Sequence, residues 1–296
     1  MLIVFLKIVA MGVLRFIRKT TKYLLITAGV AALATKGSQY LPSLKGALTS
    51  EDPQGYEVEY MEPREVETSH LDRFLPADRL GRPGQILYRK SYVVSYNRET
   101  RCPNWAFWEL TREHADGDVK RPDYAFHEDM EVKAPRADAA DYRGCGYDRG
   151  HMCPAGDNKW DREAMYETFL MTNICPQNQQ LNSGLWNQIE QQCRYWAKKH
   201  GRLYVACGPL FLKGDHHTIG PNRVMVPDAF FKVVLCLEGT HKGIAFICRN
   251  TEGDRPRDYY VNTIRNVERV TGYTFFPNLT DAAMQRVKEE ADLEMW

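Results

Sequence analysis

Apolar and polar positions alternate in different rhythms along this chain. ILYRKSYVVSYN at residues 86–97 is β-branched and aromatic, NWAFWELT at 104–111 alternates similarly, and Asn97 to Pro103 between them carries turn residues. That pattern predicts a hairpin. DREAMYETFLMTN at 161–173 is helical in composition. LNSGLWNQIEQQCRYWAKKHG at 181–201 sets Leu185, Ile189, Cys193 and Trp196 at helical spacing, with Lys198 and Lys199 in the last turn and Gly201 as a stop. It predicts the best helix in the chain. Strand-like runs follow at 202–211, 223–237 and 242–249. Strands, then helices, then strands, without a βαβ alternation, predict an α+β fold with a mainly antiparallel central sheet flanked by helices.

Residues 37–84 mix Gly, Pro, Ser and charge without a sustained period. They read as a linker, so regular structure is expected to begin near Gln85 and the folded domain to span 85–296. Residues 1–36 have the pattern of an N-terminal signal peptide or membrane anchor: basic residues from Arg15 to Lys22 precede the apolar run YLLITAGVAALA, which ends in a small-x-small pattern. The expected location is therefore periplasmic or extracellular, with membrane attachment if the segment is not cleaved. A mitochondrial presequence is the weaker reading, because the apolar block is uncharged rather than amphipathic.

Charge narrows the choice of partners. The formal net charge is +1, yet residues 1–50 hold seven basic residues and no acidic one, which leaves the rest of the chain about six charges negative. A polyanion must then be met by a local basic cleft. Eight cysteines are an even count that fits disulfides or buried thiols alike, and no CxxC pair offers zinc spacing.

The chemistry candidates start at YDRGHMCPAGDNKW, residues 147–160. In an extended segment Arg149 and His151 project to one face, which would put a base and a cation in the same cleft. His151 also fits a structural turn or core residue. Asn182, 31 residues downstream, opens the strong helix, with Glu190 eight residues later; two helical turns put both on one groove, roughly 12 Å apart in rise. An amide oxygen there suits a hydrated Mg²⁺. Asn near a helix start is far more often a cap, so this residue alone is weak evidence for a metal.

DRGH, NICPQNQQLNSGLWNQIE at 173–190, SYNRETRCPNW at 95–105, CGPLF at 207–211, VPDAFFKVV at 226–234 and VERVTGYTFFPNL at 267–279 together resemble the DNA/RNA non-specific endonucleases. These are ββα-metal, or His-Me finger, nucleases, and the wording is closest to bacterial members. The resemblance covers about residues 86–280. It implies Mg²⁺-dependent hydrolysis of DNA and RNA, with Mn²⁺ or another divalent ion able to substitute. It matches His151 to the histidine that activates water, Asn182 to the protein ligand of the metal, and Glu190 to a carboxylate that orients water. Arg149 and Arg101 match phosphate and transition-state contacts, while Asn173 and Gln177 match polar positions lining the site. A homodimer and a protein inhibitor are open partners. Two rival functions also stand: a phosphodiesterase for smaller substrates, and a noncatalytic nucleic-acid-binding protein on the same fold. Asp148 reads as a strut paired with Arg149, and Trp105, Trp108, Trp186 and Trp196 read as core.

Overall fold

The computed structural model describes residues 67–121, 126–212, 214–251 and 253–296. The expected signal peptide or anchor at 1–36 lies outside the described residues, as does most of the linker. Regular structure starts upstream of Gln85: a 3-10 helix at Glu67–Phe74 precedes strand β1 (Ala77–Asp78).

The predicted hairpin is a three-stranded meander of β2 (Gln85–Tyr88), β3 (Tyr92–Asn97) and β4 (Cys102–Thr111). The run 86–97 breaks because Arg89 N–H donates to the Tyr92 carbonyl at 2.8 Å, closing a tight turn. Arg89 is buried there on Asp129 and Glu131. Helix α1 (Arg112–Asp116) and strand β5 (Asp148–His151) come next. The helix expected over 161–173 is shorter, spanning α2 (Arg162–Glu167), before a 3-10 turn at Met171–Asn173 leads into β6 (Ile174–Gln177).

The best predicted helix has three parts: α3 (Gln179–Leu181), a π-type turn at Asn182–Trp186 broken at Gly184, and α4 (Asn187–His200). Strands β7 (Arg202–Leu210), β8 (Thr218–Ile219), β9 (Val224–Met225), β10 (Ala229–Cys236), β11 (Lys242–Arg249) and β12 (Val261–Asn262) follow. Helix α5 (Ile264–Thr271), strand β13 (Tyr273–Thr274) and helix α6 (Ala282–Glu289) complete the order.

Seven strands form one antiparallel sheet in the order β12-β11-β10-β7-β4-β3-β2. Both faces are covered, so its inner strands are almost wholly apolar instead of alternating with polar residues. Strand β10 shows the consequence of the two-residue side-chain period. Phe230, Val234 and Cys236 join the cluster containing Trp108, Trp186 and Trp196 beneath α4. Phe231, Val233 and Leu235 join the opposite cluster with Phe275, Phe276, Ile264 and Val267. Trp105, Trp108, Trp186 and Trp196 are all buried, as the strand and helix spacings predict.

All eight cysteines are free thiols, seven of them buried and Cys145 half-buried, so the even count reflects core packing. No helix among the described residues is long and apolar enough to cross a membrane.

Candidate active site

The DRGH motif lies on β5, which pairs antiparallel with β6 so that Asp148 faces Gln177, Gly150 faces Cys175 and His151 faces Ile174. Alternation sends Arg149 and His151 to one face. The Arg149 guanidinium sits 4.4 Å over the Phe126 ring, and that ring lies 5.2 Å from the His151 imidazole. Phe169 meets the imidazole edge-on at 5.0 Å, and Arg121 stacks over Phe169. His151 Nε2 is buried without a hydrogen-bond partner. Burial, followed by the charges of Arg121 and Arg149, lowers the His151 pKa from 6.5 to about 3. The free protein therefore holds a neutral imidazole, the form that can accept a proton.

The other face of the hairpin is closed. A Cβ at Gly150 would stand 2.2 Å from Gln177 Oε1, so glycine is required for Gln177 to lie across the motif. Gln177 is fully buried, and both ends of its amide lack partners. Asn173, also fully buried, accepts from Cys153 N–H and donates to the Cys153 and Thr168 carbonyls, each at 2.9 Å. These two side chains brace the hairpin from behind and do not line the cleft.

At the helix start, two asparagines divide the labour left open by the sequence. Asn178 is the cap: its Oδ1 accepts from Gln180 N–H at 2.9 Å and Leu181 N–H at 3.1 Å. Asn182, already helical, has its side chain released, and its Nδ2 donates to Asp148 Oδ2 at 2.9 Å. That bond fixes the amide and leaves its oxygen free to accept. Asp148 is indeed a strut, but it supports Asn182 rather than pairing with Arg149. A π-type turn at this point shifts the phase between Asn182 and α4, a distortion that recurs at functional sites.

Arg149, His151, Asn182 and Glu190 line one cleft of about 400 Å³, together with Arg121, Asn187 and Arg194. Arg101 is not in that lining. It sits in the turn before β4 with φ of 56°, its Nη1 donating to the Glu99 carbonyl at 3.1 Å. Burial raises the Glu190 pKa from 4.5 to about 7; Lys232 and Arg194 pull it down, and Asp157 adds to the rise. Arg194 is anchored by Asp157, which accepts from its Nη1 at 2.8 Å and from Trp108 Nε1 at 3.1 Å.

Sequence reasoning missed Arg194 and Arg121. Arg194 had a usable signal, four residues after Glu190 on one helix face. Arg121 lies in a stretch without periodicity and had none.

The residues present fit a hydrated divalent ion. Asn182 offers a fixed neutral oxygen, and no group of three or more His, Cys, Asp or Glu among the described residues could cage a metal. Water would have to complete the shell, which suits an ion that keeps its waters.

Comparison with known proteins gives the setting for this cleft. A model of the DNA/RNA non-specific endonuclease family matches residues 77–282. Mitochondrial endonuclease G of Bos taurus is 37% identical over 218 residues, covering 68% of this chain and 73% of that protein. The mitochondrial nuclease EXOG of Homo sapiens is 32% identical over 273 residues, 85% of this chain and 69% of that protein. A solved structure of the EndoG/EndoGI complex superposes with a TM-score of 0.65 at 30% identity, covering 74% of this chain and 95% of that one. Both relatives are animal proteins, whereas the wording of the motifs points to bacterial ones. They are also mitochondrial, and this overturns the expectation of an exported, periplasmic or extracellular protein. The apolar run near the N-terminus was read by its length and cleavage-like ending, features that do not by themselves specify a destination.

Proposed function

The chain belongs to the DNA/RNA non-specific endonuclease family and is a nuclease, and we propose that it cuts phosphodiester bonds in the cleft between β5 and α4 with His151 as the base. One observation carries this reading: two separate elements deliver Arg149 with an unengaged His151, and Asn182 with Glu190, to a single cleft.

His151 takes a proton from water as the water oxygen attacks phosphorus in line with the leaving 3′ oxygen. The new P–O bond forms as the bond to the 3′ oxygen breaks, and that oxygen takes a proton from solvent water, giving 5′-phosphate and 3′-hydroxyl ends. Burial is the main reason the imidazole is held low in the free protein, with the charges of Arg121 and Arg149 adding to it, and a bound phosphate would offset the part that comes from the two arginines. Binding would thereby raise the basicity of His151 by that part. The same guanidinium groups, with Arg194, face the charge that grows on the phosphorane, where fixed donors lower the barrier most. Glu190 orients water, and Asn173 and Gln177 hold the hairpin rather than the substrate. Arg101, outside the lining of this cleft, is given no step in this reading.

Asn182 would hold the metal, for which Mg²⁺ is proposed and Mn²⁺ is an alternative; when bound, the ion supplies positive charge opposite the phosphate and the leaving oxygen. Contacts to phosphate, and attack by water instead of a 2′-hydroxyl, make both DNA and RNA substrates. The EndoG/EndoGI neighbour supports a protein inhibitor as a partner, which loss of plasmid cleavage on adding such a protein would test.

The deciding experiment is Mg²⁺-dependent digestion of supercoiled plasmid and single-stranded RNA. His151→Ala should lose at least ~100-fold in rate, the lower end of general-base contributions. Unchanged cleavage by that variant would sink the assignment. Product ends should accept label from polynucleotide kinase only after phosphatase treatment.

A further inference from the structure

The hairpin of β5 and β6 that carries DRGH forms its own two-stranded sheet beside the seven-stranded one. One side chain ties the two together by hydrogen bonds. It belongs to Asn250, the residue after β11. Its Oδ1 accepts from Asn178 N–H at 2.7 Å, while its Nδ2 donates to the Pro176 carbonyl at 3.1 Å and to the Pro227 carbonyl at 2.9 Å. Its own N–H donates to the Asp228 carbonyl at 2.8 Å, on the approach to β10. Both amide donors and the amide oxygen are thus engaged, each on a backbone group. An aspartate here would set a carboxylate against two carbonyl oxygens, and an aliphatic side chain would take the partner from all three groups.

What those groups belong to gives the amide its importance. Pro176 lies opposite Arg149 in the pairing of β5 with β6, and Asn178 is the cap whose carbonyl accepts from Asn182 N–H at 2.9 Å. Between them Gln177 lies opposite Asp148, the strut that accepts from the Asn182 amide. Pinning residues 176 and 178 therefore fixes a closed frame. Asn178 holds Asn182 through the backbone, Asn182 holds Asp148 through its side chain, and Asp148 returns to Gln177 through strand pairing. Asn250 itself does not line the cleft. It stands one step behind both halves of it.

Resting on the reading that Asn182 holds the metal, we propose that Asn250 is a positioning residue for phosphodiester hydrolysis: it locks the junction of β6 and α3 onto the main sheet, so that the Asn182 oxygen stands at a fixed place relative to Arg149 and His151. Asn250 touches neither substrate nor metal. It acts through Asn178, 72 residues away in sequence, and through Pro176.

The test compares Asn250→Ala with Asn182→Ala, in plasmid cleavage and in Mn²⁺ binding followed by electron paramagnetic resonance. Binding is read in the His151→Ala background with a DNA duplex present, where slow cleavage leaves the complex intact. Asn250→Ala should weaken Mn²⁺ binding roughly tenfold and lower kcat by a similar factor, the low end for groups that support a metal ligand from behind, with KM for DNA little changed. A folded Asn250→Ala that binds Mn²⁺ as tightly as its parent overturns the proposal whatever its melting temperature, because a purely structural amide would lower stability alone. Should the alanine variant fail to fold, Asn250→Ser, whose hydroxyl can still serve one of the three backbone groups, is read in the same way. Asn182→Ala separates the two claims. If it loses Mn²⁺ while Asn250→Ala keeps it, only the positioning role falls; if it binds Mn²⁺ like its parent, the metal assignment has failed and takes the positioning role with it.

Discussion

The two faces of β10 are packed with different material. On the side of α5 and α6, Phe231, Val233 and Leu235 pack on Phe275, Phe276, Ile264 and Val267 in an apolar cluster. On the side of α4, Phe230 and Val234 flank a buried lysine that lies against Trp108 and Trp186, and Trp108 in turn bonds Asp157, which holds Arg194. The first interior stabilises by area removed from water; the second holds charges whose desolvation must be offset by one another. The contrast teaches where this fold keeps its chemistry. Buried charge backs the cleft at Lys232 and Asp157, while the α5/α6 side carries the buried pair Lys288–Glu268, in which Lys288 also donates to the Phe275 carbonyl.

That contrast can be broken first from the apolar side. Phe231→Ala should cost about 3–5 kcal/mol of stability in denaturant unfolding, the range for aromatic truncation in a packed core. Cleavage by the folded fraction should stay within twofold of wild type. A specific activity that falls with Phe231 while the protein remains folded would mean the two faces are not separate.

From the charged side, Glu190→Gln should change the pH dependence of stability. Because the folded protein holds the Glu190 proton up to about pH 7 and the unfolded chain releases it near 4.5, this group contributes stability that is full below 4.5 and lost as pH rises through 7. The Gln variant lacks that loss. Its stability at pH 8 should exceed wild type by up to about 3 kcal/mol, with the difference gone at pH 4. Equal stability curves for the two proteins would show that the buried charges compensate more fully than described.

The smallest effect concerns the rim. Arg149 is exposed, so Arg149→Met should leave melting unchanged while lowering the slope of log binding against log salt by roughly 0.9, one phosphate contact on duplex DNA. An unchanged slope would place its role outside phosphate binding.

Much of this was legible in the sequence, and the failures have physical reasons. Helix 181–201 showed because its apolar stripe is local, and β11 matches the run 242–249 because an inner strand buried on both faces is continuously apolar. The same-face relation of Arg149 and His151 follows from two-residue alternation alone. What lay behind the hairpin was not legible: pairing of β5 with β6 sends Gln177 inward against Gly150, and nothing in either segment encodes their register. The turn at Arg89 was hidden because an arginine buried on Asp129 sits inside a strand-like run, and its partner is 40 residues away. Lys232 was invisible for a related reason. In AFFKVVLC it reads as a lone polar position on a solvated face, and only the indoles of Trp108 and Trp186 reveal that the face is closed.

The strand order has a further consequence, for self-association. An open sheet of seven strands presents two edges where another chain could add by backbone pairing. Here the edges are β12, two residues long, and β2, four residues long and preceded by Pro83. Neither offers the long flat ladder that templates aggregation, while the extended apolar strands β7 and β10 lie in the middle, paired on both sides. A protein whose stickiest segments are its innermost ones is protected while folded. Its vulnerable period is folding itself, before β10 has found β7 and β11.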